Sequence, residues 1–205
     1  MRIVQVLSGP TLLLMHGEAI VSAFAEIRTE RLLLRRWRLA DLEPFATLNA
    51  DPCVHEFLSG PLSKEQSDEM ATRIDACFEQ NGFGLCAVEV PGVAPFIGFI
   101  GLSIPRFEAH FTPCVEIGWR LSADFWGRGL ATEGAQAALE FGFKQICLSE
   151  IVSSTVPENI RSRRVMEKIG MTRNPSEDFD HPVLPADHRL SRHVLYRIAR
   201  PLPRS

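Results

Sequence analysis

Hydrophobic positions along the chain recur with two periods, and the switches between them outline its elements. Ile27–Arg38 (IRTERLLLRRWR) mixes leucines with arginines, whose stems cover apolar surface while their heads stay wet, and it predicts an opening strand. Leu42, Phe45, Ala46 and Asn49 share one face of a short helix that Asp51-Pro52 ends. Ser63 and Gln66 match a capping box; Met70, Ile74 and Phe78 follow at helical spacing until Asn81-Gly82. Phe83–Val90 and Pro95–Ile104 are short apolar runs split by Pro91-Gly92, which predicts a hairpin. Cys114–Leu121 is a further strand, and Gly129–Lys144 an amphipathic helix with Ala135, Ala138, Leu139 and Phe143 on one side. Glu150–Val156 predicts a strand, Pro157–Ile169 a helix stopped by Gly170, and His193–Ala199 a closing strand. Runs of strands interrupted by helices, without repeats or a linker, make this one α/β (α+β) domain with a mixed sheet.

Composition narrows the class. The chain has 205 residues, 22 basic and 25 acidic, for a net charge of −3, with 45% hydrophobic and 23% charged residues. That is an ordinary soluble protein with enough chain for its own core. Weak acidity argues against a nucleic-acid partner, which needs clustered positive charge. Apolar stretches in residues 1–26 are broken by Ser8-Gly9-Pro10 and by His16-Gly17-Glu18, so neither a membrane span nor a signal peptide is expected. Those residues read as an N-terminal extension, with an added strand as one form, and Met15 is an alternative start. The domain then covers 27–200, and 201–205 form a tail. Cys53, Cys77, Cys86, Cys114 and Cys147 are far apart and odd in number, which suggests reduced thiols, mostly in the core, of a cytoplasmic protein. His181, His188 and His193 have no companion ligands at metal spacing, so no metal is expected.

One segment carries chemistry. From Trp119 the strand runs through Leu121 into Trp126-Gly127-Arg128-Gly129-Leu130-Ala131-Thr132-Glu133, where a glycine turn opens directly into a helix. Glycines let backbone approach a ligand, and the first N–H groups of a helix lack internal partners. Together with the helix dipole they suit a phosphate or pyrophosphate. A P-loop would need Gly-Lys-Ser/Thr, and a Rossmann loop a third glycine where Thr132 stands. A plain glycine turn feeding a packed helix stays open at this point.

Trp126–Ala131 resembles the Q/R-x-x-G-x-G/A segment of the GNAT N-acetyltransferase superfamily, with Trp126 in its first position. The tryptophan followed by G-x-G-x-A-T-E is similar to the RimJ/RimL branch. Two further blocks share that similarity: Asn159, Ser162 and Glu167–Met171, and the opening Arg28–Arg35 (RTERLLLR). The resemblance runs from about Ile27 to Ala199. It implies a central mixed, mostly antiparallel sheet flanked by helices, with a pyrophosphate-binding loop between the fourth strand and the third helix. It also implies acetyl-CoA as co-substrate. The pyrophosphate would lie on Trp126, Gly127, Arg128, Gly129, Leu130, Ala131 and Thr132, the pantetheine arm would pair with Trp119–Leu121, and Asn159 would meet its amides.

The implied reaction is attack of a neutral amine on a thioester. A protein α-amine, with pKa about 7.7–8.0, is roughly a tenth neutral at pH 7, whereas lysine needs about 3 kcal/mol more for deprotonation. Glu116, on the strand that leads to the loop, is the expected base through water, against the alternative of a salt-bridged surface carboxylate. The superfamily's late-helix tyrosine is replaced by Met166, so Ser162 is the expected donor to the leaving sulfur, with a mere packing or cofactor contact as the alternative. Arg161, Arg163 and Arg164 form either a 3′-phosphate contact or a solvated face. The acceptor is a peptide N-terminus or a small-molecule amine, and a homodimer is left open. The competing class is a non-catalytic acyl-CoA-binding sensor.

Overall fold

The computed structural model describes Phe24 and residues 26–201. Most of the expected N-terminal extension, its added strand included, therefore lies outside the described residues. Nine strands and five α-helices follow in the order β1 (Glu26–Arg28), β2 (Leu33–Arg35), α1 (Leu42–Ala50), α2 (Pro52–His55), α3 (Lys64–Asn81), β3 (Leu85–Val90), β4 (Ala94–Ser103), β5 (Glu116–Leu121), α4 (Leu130–Lys144), β6 (Glu150–Thr155), α5 (Ile160–Lys168), β7 (Thr172–Arg173), β8 (Phe179–Asp180) and β9 (Arg192–Ala199).

The strands form one sheet in the order β1-β2-β3-β4-β5-β6-β9-β7, with β8 also on β9. Every pairing is antiparallel except β5 with β6. That exception positions the site, because the β5–β6 crossover is α4, a helix entered from the end of β5. The two faces of the sheet are covered differently. Ile100 and Leu102 of β4 face α4, where Gly134 and Gly142 sit so close that an added Cβ would meet Ile100 Cδ1 at 2.5 Å and Leu102 Cδ1 at 2.9 Å. Phe99 points the other way, with its ring 6.1 Å from that of Phe45 on α1. Cross-strand register carries this division to β5: Trp119 and Ile117 oppose Ile100 and Leu102, whereas Arg120 opposes Phe99 and Glu116 opposes Ser103.

The strongest local signals place elements where expected. Ser63 accepts from the Gln66 amide at 3.2 Å and the Gln66 side chain answers from the Ser63 amide at 2.9 Å, which starts α3. The remaining differences have physical causes. Ile27–Arg38 is two strands, because the Thr29 hydroxyl accepts from the Leu32 amide at 2.9 Å and the Thr29 amide donates to the Leu32 carbonyl at 2.9 Å, closing a turn. Asp51-Pro52 both ends α1 and opens α2, with the Asp51 carboxylate accepting from the Cys53 amide at 2.8 Å. With one strand and one helix added, the glycine loop follows the fifth strand and precedes the fourth helix. The cysteines are less buried than expected: Cys86 is buried, Cys77 and Cys114 are partly so, and Cys53 and Cys147 are exposed. Of the four that are not buried, Cys114 packs against the small cluster of Phe111, Val152, Phe179 and Leu195, and the two exposed ones fill no core position. Among the described residues no helix is long and apolar enough to cross a membrane, and no group of three or more His, Cys, Asp or Glu gathers at metal distance.

Candidate active site

The head of α4 is an unfilled set of donors. Gly127 and Gly129 adopt φ of +72° and +79°, a left-handed conformation that other residues reach at a cost, and this turns successive amides outwards. The first backbone bond of the segment runs from the Glu133 amide to the Gly129 carbonyl at 3.0 Å. The N–H groups of Gly127, Arg128, Gly129, Leu130, Ala131 and Thr132 therefore have no partner among the described residues. Six consecutive free donors at the positive end of a 15-residue helix fit a diphosphate.

Beside this cradle the sheet opens. β5 and β6 share a single paired position, Glu116 with Val152, and the Val152 amide donates to Val115 at 2.9 Å. Further along, side chains replace the ladder. Ser153 Oγ donates to the Ile117 carbonyl at 2.9 Å, and Glu116 Oε1 accepts from the amide and hydroxyl of Ser154 at 3.2 and 2.9 Å. The backbone N–H and C=O of Trp119 face the widening gap and offer an extended amide chain a strand edge. The Leu121 carbonyl is already occupied by the Trp126 indole N–H at 2.8 Å. Gap and cradle open into one cavity of about 340 Å³, a size suited to small-molecule ligands. It is lined by the loop, by Trp119 and Leu121, by Asn159 and Ser162 of the α5 entrance, and by Val54 and Phe57 from the α2 region.

A family model, the acetyltransferase (GNAT) domain, matches residues 31–172. The chain belongs to the GNAT acetyltransferase family. YnaD of Bacillus subtilis (strain 168), named an uncharacterized N-acetyltransferase, is 32% identical over 151 residues, which cover 72% of this chain and 82% of YnaD. The FsC-acetyl coenzyme A-N(2)-transacetylase of Aspergillus fumigatus is 33% identical over 99 residues, 42% of each chain. A GNAT-family acetyltransferase structure from Bacillus anthracis superposes with a TM-score of 0.71 at 29% identity, covering 85% of this chain and 98% of that one.

In this acetyltransferase the expected site residues fall into two groups. Trp119, Leu121, Trp126, Gly127, Gly129, Leu130, Ala131, Thr132, Asn159 and Ser162 all line the cavity. Arg128 does not; its carbonyl is tied to Arg31 and its guanidinium lies 5.3 Å from the Phe125 ring centre, which leaves its amide as its offering. Asn159 caps α5: its Oδ1 accepts from the Ser162 amide at 3.2 Å, and its Nδ2 donates to Thr155 Oγ1 at 3.0 Å. Its side chain thus holds the helix entrance as well as bordering the cavity. The Ser162 hydroxyl makes no hydrogen bond within the described residues. Glu116 lies outside the cavity lining, at the root of the gap, where burial pushes its carboxyl up while the Ser154 bonds pull it part of the way back.

Of the three α5 arginines, Arg163 is turned inwards to the Pro157 carbonyl at 2.9 Å. Arg161 reaches Glu56 Oε2 at 2.7 Å and stacks 4.5 Å over Trp126, joining the α2 region to the loop. Arg164 is exposed at the cavity wall. Met166, where the superfamily's tyrosine would stand, is 1% exposed within the core, and the Tyr196 hydroxyl donates instead to Glu167 at 3.0 Å. His181 and His193 pack against the Phe179 ring.

Sequence reasoning missed the brace behind the cradle. Glu133, in the first turn of α4, accepts from Thr29 Oγ1 at 2.6 Å, from the Arg31 amide at 2.8 Å and from Arg31 Nε at 2.7 Å. A second Arg31 nitrogen donates to the Arg128 carbonyl at 2.9 Å. Burial alone would raise the Glu133 carboxyl, but these hydrogen bonds and the Arg31 charge hold it below the usual range. The brace ties the loop to the β1–β2 turn and neutralises a carboxylate beside the free amides. Its only trace in the sequence is that Thr29, Arg31 and Glu133 all fall inside the blocks that carry the family resemblance.

Proposed function

We propose that this enzyme moves the acetyl group of acetyl-CoA to a primary amine, either a peptide N-terminal α-amine or a small-molecule amine, by direct attack on the thioester. The observation that carries the reading is the continuity of six free amides, an open strand edge and one cavity. The cradle receives the pyrophosphate, and the Trp119 edge pairs with the pantetheine amides, which leaves the thioester deeper in the gap, towards Glu116. There the amine attacks the carbonyl carbon as its proton passes through water to Glu116. The tetrahedral intermediate then collapses, breaking the C–S bond, with Ser162 donating a hydrogen bond towards the departing sulfur. A thiol with pKa near 8.5 leaves tolerably at neutral pH, so a tyrosine acid in the place of Met166 is not required.

The Trp126–Glu133 and Arg28–Arg35 motifs support a place in the RimJ/RimL branch, and the absence of a disulfide among the described cysteines fits a reducing cytoplasm. The reading takes residues 27–200 as one catalytic domain without metal, nucleic-acid or membrane partner. A thiol-release assay with acetyl-CoA across peptide N-termini, amino acids, polyamines and aminoglycosides tests it. Amine-dependent release is expected. Tight acetyl-CoA binding with no release on any amine would favour the acyl-CoA sensor instead.

A further inference from the structure

Two arginines are withdrawn from solvent among the described residues, Arg35 fully and Arg120 in part, and the protein treats them differently. Arg35, 4% exposed, is paired bidentately with Asp41 at 2.8 and 2.9 Å and also meets Glu89 at 3.0 Å. Arg120, at the end of β5, has no carboxylate within 4.0 Å among the described residues. Among the described residues its guanidinium makes one hydrogen bond, to the Asn49 side-chain carbonyl, and lies 5.3 Å from the Phe99 ring centre. Asn49, 1% exposed on α1, is itself fixed by donating to Ser67 Oγ at 2.9 Å on α3, so its carbonyl is held towards Arg120. Neither Asn49 nor Phe99 carries a charge. Burial accordingly holds the Arg120 guanidinium down to about 10.

A guanidinium has five N–H donors in a planar fork, and withdrawing it from water without an anion is costly. Here one donor is used and the residue lines the cavity. Its position separates it from the donor half of the site. Arg120 shares the α1 face of the sheet with Glu116 and Phe99, opposite the face covered by α4. Between Arg120 and Glu116 on that face stands Gly118, where an added Cβ would meet only Leu85 Cδ2, at 3.9 Å. The strand therefore presents an unpaired cation at one end, a hydrogen-bonded carboxylate at the other and open space between.

Resting on the acetyltransferase reading, we propose that the acceptor is a primary amine that carries a carboxylate, and that Arg120 is the residue that receives this carboxylate. The Asn49 carbonyl fixes the fork, the acceptor's anion completes it, and the Glu116 end of the face is left for the amine. A polyamine or an aminoglycoside has no anion to offer the guanidinium and brings charge of the same sign.

The test uses the full chain loaded with CoA, titrated calorimetrically with the twenty L-amino acids, a set of dipeptides and the C-terminal amides of both; turnover is measured on the same pairs with acetyl-CoA. Carboxylates are expected to bind at least tenfold more tightly than their amides, with kcat/KM following. Arg120→Met should bring the acid-to-amide ratio towards one while leaving the acetyl-CoA Kd within twofold. Asn49→Asp keeps the arginine but supplies an internal carboxylate, and should lower acid binding in the same direction. Acids and amides binding alike in the wild type, or no carboxylate binding at all, would overturn the proposal. So would an Arg120→Met variant that weakens acetyl-CoA, which would assign Arg120 to the donor. Preferential binding of acids to the CoA-loaded protein without turnover would uphold Arg120's role and refute acetyl transfer instead.

Discussion

Arg31→Met isolates the brace behind the proposed pyrophosphate cradle. It deletes the contacts to Glu133 Oε2 at 2.7 and 2.6 Å and the one to the Arg128 carbonyl at 2.9 Å, while the Thr29 hydroxyl and the residue-31 amide keep hold of Glu133. The fold should barely notice. Arg31 is 45% exposed, and a pair so placed contributes about 0.5–1 kcal/mol to stability. Binding should notice more, because the Glu133 carboxylate is then uncompensated in the turn proposed to receive the diphosphate. At ~7 Å and an effective dielectric of ~40–80, each unit of ligand charge is opposed by about 0.6–1.2 kcal/mol. Acetyl-CoA should therefore bind about tenfold more weakly. Calorimetric titration at low and at high salt reads this, and the deficit should shrink as salt rises. Arg31→Met/Glu133→Gln should recover much of the loss, since the second change removes the repelling charge but keeps an acceptor for Thr29. An affinity within twofold of wild type for Arg31→Met, or a double variant no better than the single, would refute the reasoning.

Three further outcomes follow from the same geometry. The Glu116 carboxyl is raised in the folded protein, so between its unfolded and folded values the native state holds more protons, and stability falls as pH rises through that window. Glu116→Gln should thus raise Tm at pH 7–8 but not below about pH 4, and should remove the acid limb of kcat/KM; an equal Tm change at both pH values, or an unchanged kcat/KM from pH 6 to 9, would contradict this. Ser162→Ala removes a hydroxyl with no protein partner, so stability should stay within about 0.5 kcal/mol while kcat falls about tenfold; intact turnover would end its donor role. Gly127→Ala meets open space around the new Cβ, so its cost is the left-handed backbone, about 1–2 kcal/mol. Relaxation of the loop should weaken acetyl-CoA about tenfold, and unchanged affinity would show that these amides do not carry the ligand.

What could be read from the sequence divides along the range of the interactions. The α3 capping box, the β3–β4 hairpin and the glycine loop are each specified within a few residues, and they stand where the pattern placed them. The turn inside Ile27–Arg38 was hidden because a threonine hydroxyl, rather than Gly or Pro, closes it. β7 and β8 have two residues each, too few to show a period of two. The site's charges were the least legible. Arg31 meets Glu133 across 102 positions, and Arg120 meets Asn49 across 71, so neither partnership leaves a local spacing. The absence of a counter-ion at Arg120 depends on where every carboxylate in the fold lies. Glu116 was singled out by its place on the strand that leads to the loop and Ser162 by the family resemblance, in which Met166 stands where a tyrosine would; their partners, Ser154 and Asn159, follow from the β5–β6 opening and the α5 cap.

The central claim is that the free amides of Gly127–Thr132 hold the diphosphate of acetyl-CoA while its acyl arm runs along Trp119. A crystal structure of the acetyl-CoA complex tests it most directly. Diphosphate oxygens should lie about 2.7–3.2 Å from several of these N–H groups, with a pantetheine amide bonded to the Trp119 backbone and the thioester in the gap by Glu116. A diphosphate bound elsewhere, with these six amides still unpaired, would contradict the account.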